Sequence, residues 1–158
     1  MSAVRIIACL DTRRGSVVKG VGFENLKDCG DPTERAFAYY KSGADEITVL
    51  DVGATPDRND FASDMLMGMT KKVFVPICAG GGIRSVDDIR AVLRAGADKV
   101  SICSTALSNP ELLTQASREF GSQCIVLSLD ARRNGSRWDA YSAGGRRSEE
   151  HTSELQSP

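Results

Sequence analysis

The feature that most restricts what this chain can fold into is a regular alternation of two hydrophobic periods. Short apolar runs recur as "VRIIACLD" (4–11), "EITVLD" (46–51), "FVPICAGGG" (74–82), "KVSIC" (99–103) and "CIVLSLD" (124–130). Each has the length of a strand. Between them lie amphipathic stretches of helix length: "DPTERAFAYYKSG" (31–43), "DFASDMLMGMTKKV" (60–73), "SVDDIRAVLRAG" (85–96) and "NPELLTQASREFG" (109–121). The punctuation agrees. Asp31, Ser85 and Asn109 stand where helix caps belong, Pro32 and Pro110 fit first turns, and Gly43 and Gly96 suit helix ends. The predicted order is β-α-β-α-β-α-β-α-β. Strict alternation with short links means parallel strands joined by helical crossovers.

An internal echo sharpens this. "SGADEITVLD" and "AGADKVSIC" both run from a helix end through Gly-Ala-Asp and a charged residue into a strand. The echo has two readings, shared helix-to-strand loop chemistry or a duplicated βα unit of a (β/α)8 barrel. We favour the barrel over a doubly wound sheet, because no GxGxxG opens a helix here. "GGGIRS" follows a strand but is only a run of three glycines. A complete barrel takes about 250 residues and eight strands. This chain has 158 residues and five predicted strands, and an open half would leave sheet edges exposed.

Composition excludes several classes. Net charge is −1, and the last twelve residues, one Arg and three Glu, carry −2 of it. Neither balance suggests a nucleic-acid partner. No apolar run reaches the length of a membrane span, and the N-terminus reads as a strand, not a signal peptide. The five cysteines (Cys9, Cys29, Cys78, Cys103, Cys124) are odd in number and form no CxxC. A reduced cytoplasmic chain with buried thiols is expected, with no metal and no cofactor.

In barrel enzymes chemistry sits at the C-terminal ends of the strands. Three runs end there in aspartate: Asp11, Asp51 and Asp130. A carboxylate so placed is held by the strand and partly desolvated, which suits acid–base work. Aspartate also commonly opens loops, so any one of the three is weak by itself and their convergence is the signal. The glycines of "AGGGIRS", Gly81 and Gly82 among them, bring backbone amides before a helix, where they suit a phosphate. Ser104 and Thr105 follow the next strand and complete half a cradle. Lys19, in the long loop after the first strand, is either an anion contact or a solvated loop lysine. At the other end, Arg5, Glu46 and Lys99 each open a strand. Residues two apart share a sheet face, so Arg5 lies on the face of Asp11 but about 20 Å away along the strand. From the residues alone these three are exposed strand-start charges; if they face inward, they meet at the barrel floor.

The runs "RIIACLD", "VVKG", "FENL", "GDP", "GGGIRSVDD", "GADKVSI" and "FGSQ", with Asp130, closely resemble, in order and spacing, the cyclase subunit of imidazole glycerol phosphate synthase, of histidine biosynthesis. The resemblance covers residues 4 to about 146. The sister isomerase of the pathway shares the half-barrel plan but not the "ACLD…VVKG…GDP" run. What the resemblance implies is a (β/α)8 barrel that takes ammonia from a glutaminase subunit docked on its N-terminal face. Ammonia attacks a bis-phosphorylated phosphoribulosyl-formimino-carboxamide ribotide. Ring closure and cleavage then give imidazole glycerol phosphate and an aminoimidazole carboxamide ribotide. Carried over by position, Asp11 and Asp130 are the acid–base pair, and Lys19 holds substrate. Gly81, Gly82 and Ser104 fall on the first phosphate site, and Arg5, Glu46 and Lys99 form a charged ammonia gate. The alternatives are a related phosphosugar enzyme (the sister isomerase or a surface-sugar paralogue) and a non-catalytic half-barrel.

Two departures stand out. Cys103 occupies a position where the family usually has Asn, which removes a hydrogen-bond donor beside the phosphate loop. The family also continues past "AGGR" into a second phosphate site, so this chain alone is expected to be inactive. "RSEEHTSELQSP" (147–158) has no apolar periodicity and resembles the in-frame translation of a sequencing-library adapter. The expected organisation is part of a barrel over 1–146 and an artefactual or disordered tail over 147–158. His151, the one histidine, is then no site residue.

Overall fold

The order of the strands decides between the two α/β plans. The computed structural model describes residues 4–21, 24–53, 63–142 and 147–148. Five parallel strands lie side by side in chain order: β1 (Ile7–Arg13), β4 (Glu46–Asp51), β5 (Ile77–Gly80), β6 (Lys99–Ile102) and β7 (Ile125–Leu127). A doubly wound sheet reverses its order at a switch point, and this one does not. Successive right-handed crossovers therefore place α1 (Pro32–Lys41), α2 (Ser63–Thr70), α3 (Val86–Arg94) and α5 (Glu111–Phe120) on one face. This is the arrangement of a (β/α)8 barrel, seen as an open arc.

Burial follows the pleat. Register aligns Leu10 with Val49, Ala79, Val100 and Ile125 across the sheet. The first four are buried against Ala36, Leu66, Met69, Ile89, Val92, Leu112 and Ala116 from the helices. Each large aliphatic among them contributes about 1.5–3 kcal/mol on leaving water. The other face carries Ile7, Cys9 and Asp11 from β1, Glu46 and Thr48 from β4, Cys78 from β5, and Lys99 and Ser101 from β6.

The internal echo has a structural cause. Gly43 and Gly96 both end helices at positive φ (93° and 108°), where a side chain would be strained. Two residues on, Asp45 and Asp98 make the same pair of bonds to the preceding strand. Asp45 donates its amide to the Ile6 carbonyl and accepts the Ile6 amide on its carboxylate, at 2.8 and 2.7 Å. Asp98 does the same to Ile77, at 2.8 and 2.8 Å. Gly-Ala-Asp is thus a clamp that fixes each helix-to-strand loop against its neighbour.

Three expectations change. The long loop after the first strand is a hairpin: β2 (Ser16–Val21) pairs with the end of β1 and with β3 (Glu24–Asp28). Gly15 at φ 83° turns the chain back, and Val17 is buried, which anchors β2 to the sheet. The expected helix over 109–121 is α5, which starts after Pro110 without a side-chain cap from Asn109, but a short helix that was not expected, α4 (Ser104–Ser108), precedes it. The polar sequence after the fifth strand is a second hairpin, β8 (Asp130–Asn134) with β9 (Arg137–Ser142). Gly135 at φ 60° makes its turn. Asp130 therefore opens β8, and the fifth parallel strand ends earlier, at Leu127. β10 (Arg147–Ser148) pairs with β9 at Ser142 and Tyr141. Residues 60–62 of the expected second helix, and 149–158 of the expected tail with His151, lie outside the described residues.

Candidate functional site

The parallel register sorts the sequence-predicted residues into two groups at opposite ends of the sheet. At the strand N-termini the structure brings three of them together. Glu46 opens β4 and is buried, with 3% of its surface exposed. Its Oε2 accepts from the Arg5 guanidinium at 2.9 Å and the Lys99 ammonium at 2.7 Å. A carboxylate this deep is tolerated only when paired, and here it has two cations. The strands leave no choice of partner, because Lys99 opens β6 and reaches across the short β5 from the same face.

At the C-terminal ends, Asp11 stands half-buried on the uncovered face of β1. Burial holds its carboxyl above the usual aspartate range. Two residues below it on that face, the Cys9 thiol is raised first by burial and then by the Asp11 charge. In the same row as Cys9 lie Thr48, Cys78 and Lys99. The Cys78 thiol is pushed up to about 11, by burial above all and then by Glu46, with Lys99 and a hydrogen bond to Thr48 opposing. Cys9, Thr48 and Cys78 of this row lie between the Glu46 carboxylate and Asp11 along the strands.

Cys103 ties the other carboxylate to the phosphate loop. Its thiol is raised by burial and then by Asp130, while hydrogen bonds to the Ser104 hydroxyl and the Asp130 amide oppose the shift. Asp130 and Ser104 are therefore brought together through Cys103. On the neighbouring loop the Thr105 hydroxyl donates to the Ile83 carbonyl, which joins the turn after β6 to the loop after β5. The two halves of the predicted phosphate cradle are thus physically linked.

The three glycines of that loop have separate reasons. A Cβ on Gly80 would stand 2.7 Å from the Ser101 backbone oxygen, and one on Gly81 would stand 2.3 Å from that of Asp51. Gly81 and Gly82 also adopt positive φ, 105° and 70°. Close packing of β4, β5 and β6 alone would require two of them. The helix amides are less available than the sequence suggests. Ser85 and Asp88 form a reciprocal capping box, and the Asp88 carboxylate takes the amides of both Arg84 and Ser85.

Lys19 lies on β2, exposed, directly opposite Lys27 of β3. The structure does not join it to Asp11 or Asp130. Sequence reading missed Lys27, the Asp45 and Asp98 clamps, and Thr105 as a bridge. The alternation of Val18-Lys19 with Leu26-Lys27 was the available signal for the first.

A family model described as histidine biosynthesis protein matches residues 5–156. The chain belongs to that family. Within it, the imidazole glycerol phosphate synthase subunit HisF of Dehalococcoides mccartyi is 47% identical over 143 residues, covering 90% of this chain and 56% of the relative. The subunit of the same name from Myxococcus xanthus is 50% identical over 143 residues, with the same two coverages. That from Streptococcus mutans is 50% identical over 144 residues, covering 90% and 57%. The chain therefore spans a little over half the length of the curated relatives it matches. No helix among the described residues is long and apolar enough to cross a membrane.

Proposed function

We propose that this chain is the first part of a cytoplasmic cyclase that makes imidazole glycerol phosphate, working with a glutaminase subunit that supplies ammonia. The observation that carries the reading is identity of 47–50% to relatives named imidazole glycerol phosphate synthase subunit HisF. The geometry supports it. Asp11 and Asp130 serve as acid–base pair: burial raises the Asp11 carboxyl above the ordinary aspartate range, the direction that proton transfer needs. Gly81, Gly82 and Ser104 receive one phosphate of a bis-phosphorylated substrate, and Lys19 contacts it from the first hairpin. Ammonia enters past Arg5, Glu46 and Lys99. Around that cluster, Val4, Ile6 and Phe74 are 87%, 61% and 75% exposed, an apolar rim suited to a partner protein. Residues 1–146 form the barrel part.

The test uses the complete protein encoded at the locus, with substrate and ammonium salt, and follows imidazole glycerol phosphate by chromatography. Asp11→Asn and Asp130→Asn should each lower turnover by about 100-fold or more. Glu46→Gln should leave ammonium-dependent turnover within a few-fold while weakening coupling to glutamine hydrolysis. Unchanged turnover in both aspartate variants would sink the reading.

A further inference from the structure

Along β1 exposure alternates: Leu10 and Thr12 are buried, while Cys9 and Arg13 are exposed on the face that carries Asp11. Arg13 therefore stands at the mouth of the candidate site, about 7 Å along the strand from Asp11. Its guanidinium makes no hydrogen bond or ion pair with any described residue. Burial is the only resolved cause of the Asp11 shift, so the Arg13 charge is not directed at that carboxylate. The stem of Arg13 lies the other way. The β1–β4 ladder runs on past Asp51, with the Val52 amide donating to the Thr12 carbonyl at 2.9 Å, and this brings Gly53 beside Arg13. A Cβ on Gly53 would stand 2.5 Å from Arg13 Cγ and 3.3 Å from its Cδ. Gly53 is not at positive φ, so its backbone does not require glycine; the missing side chain is the space that Arg13 occupies. The stem thus leans from β1 over the end of β4, and the next strand in that direction is β5, with its glycine loop. Asp51 joins the two places: its carboxylate accepts the Gly53 amide at 2.9 Å, and its backbone lies against Gly81. The loop itself lacks positive charge. Asp88 takes the amides of Arg84 and Ser85, so a phosphate received there has the carboxylates of Asp51 and Asp88 as neighbours.

We propose that Arg13 is a further substrate-binding residue, whose guanidinium reaches across Gly53 to the phosphate ester received at Gly81 and Gly82. The identity of the substrate rests on the cyclase reading; the cation and its direction do not. Two strand spacings, about 10 Å, separate β1 from β5, a span that an extended arginine and one phosphate fill together. The guanidinium offers that phosphate two parallel N–H donors and offsets the nearby carboxylates. Gly53 is then a positioning residue, acting through Arg13 by leaving room for its stem.

The test uses the complete protein encoded at the locus, with ribose 5-phosphate as probe and ribose as the uncharged control. Binding is followed by NMR at the Gly81 and Gly82 amides, which report this phosphate and no other. Ribose 5-phosphate should shift both amides with one midpoint, and ribose should shift neither. Arg13→Gln should weaken the midpoint by about tenfold, the loss of one charge-assisted contact. Arg13→Lys should recover part of it, and Arg118→Gln, on the exposed side of α5, should leave it unchanged. Gly53→Ala should weaken the parent by several-fold, because its methyl displaces the Arg13 stem, yet add nothing to Arg13→Gln. The inference is overturned if ribose 5-phosphate leaves both amides of the parent unmoved, or if Arg13→Gln titrates like the parent. It is equally overturned if Gly53→Ala is without effect, or costs Arg13→Gln as much as it costs the parent. None of these outcomes depends on turnover, so a failure of the cyclase reading, seen in the aspartate variants, is recognised separately.

Discussion

Replacing Glu46 tests whether the cluster at the strand N-termini is a true buried ion pair. At 2.7–2.9 Å, each Coulomb attraction is about 6 kcal/mol at an effective dielectric of 20. The net value is far smaller. The Arg5 side chain is half-exposed, so its pair is worth about 0.5–1 kcal/mol at most. The Lys99 side chain is 24% exposed, so it behaves more like a buried partner. Removing one member of a buried pair costs about 3–5 kcal/mol. Allowing for the water that reaches Lys99, Glu46→Leu should cost about 2–3 kcal/mol. For a chain of this size that lowers Tm by about 5–10 °C.

The cost should come from the stranded lysine, not from lost volume. Glu46→Leu combined with Lys99→Met should therefore recover most of the loss, because an apolar pair replaces a buried ion pair at little net cost. Urea unfolding followed by far-ultraviolet circular dichroism gives all four corners of the cycle. A loss below about 1 kcal/mol in Glu46→Leu, or a double variant as unstable as the sum of the singles, would refute the argument.

Three further outcomes follow from particular groups. Asp11 has its folded pKa raised by burial, so ionisation is costlier in the folded chain than in the unfolded one. Its contribution is nil below the unfolded value and becomes destabilising as pH rises through the folded one. Asp11→Asn should therefore raise Tm at pH 7 and leave it unchanged near pH 2.5. Cys78, at about 11 against an ordinary 9.0, should hold about 100-fold less thiolate than an unperturbed thiol at pH 8. Iodoacetamide labelling read by peptide mass spectrometry should modify Cys78 at least that much more slowly in the folded chain than in urea. Asp98→Ala breaks the carboxylate arm of its clamp and should cost about 1–2 kcal/mol; hydrogen exchange at the Ile77 amide should speed up well before exchange in α5 does.

Much of the architecture was legible because it rests on local rules. The Asp31 cap, with its side chain accepting the Glu34 amide, and the Ser85 capping box stand where the residues placed them. The two hairpins were not legible, for a common reason. The three valines of β2 do not alternate with polar residues and β3 has one apolar residue, Leu26, while β8–β9 is held by polar pairs on an exposed surface: Arg137 with Asp139, Asn134 with Asp139, and the Arg132 guanidinium 4.9 Å from the Tyr141 ring. Hydrophobic periodicity does not register strands that bury so little. The glycine run shows the converse problem. Its chemistry suggested an anion cradle, yet Gly80 and Gly81 are also required by the close approach of Ser101 and Asp51, so the same letters serve packing as well as any ligand.

The placement of the charged groups was legible only up to a conditional. Side-chain parity put Arg5 on the face of Asp11, but whether Glu46 and Lys99 faced the same way depended on register between strands far apart in sequence. That register pairs Glu46 with Ile7, four residues before Asp11, so about 13 Å of strand separates the buried carboxylate from the candidate acid–base group. The distance has a chemical consequence. Lys99 is close enough to Cys78 to lower its pKa, opposing the Glu46 charge. Asp11, one row higher, has burial as the only resolved cause of its shift. Pairing inside the lower cluster leaves it one net positive charge instead of three separate ones, and the carboxyl of Asp11 is governed by desolvation. A cluster of three unpaired charges at the same place would have pulled its proton affinity in one direction or the other. The two roles proposed above, entry of ammonia at one end and proton transfer at the other, would thus share five short strands with their charged groups kept about four residues apart along β1.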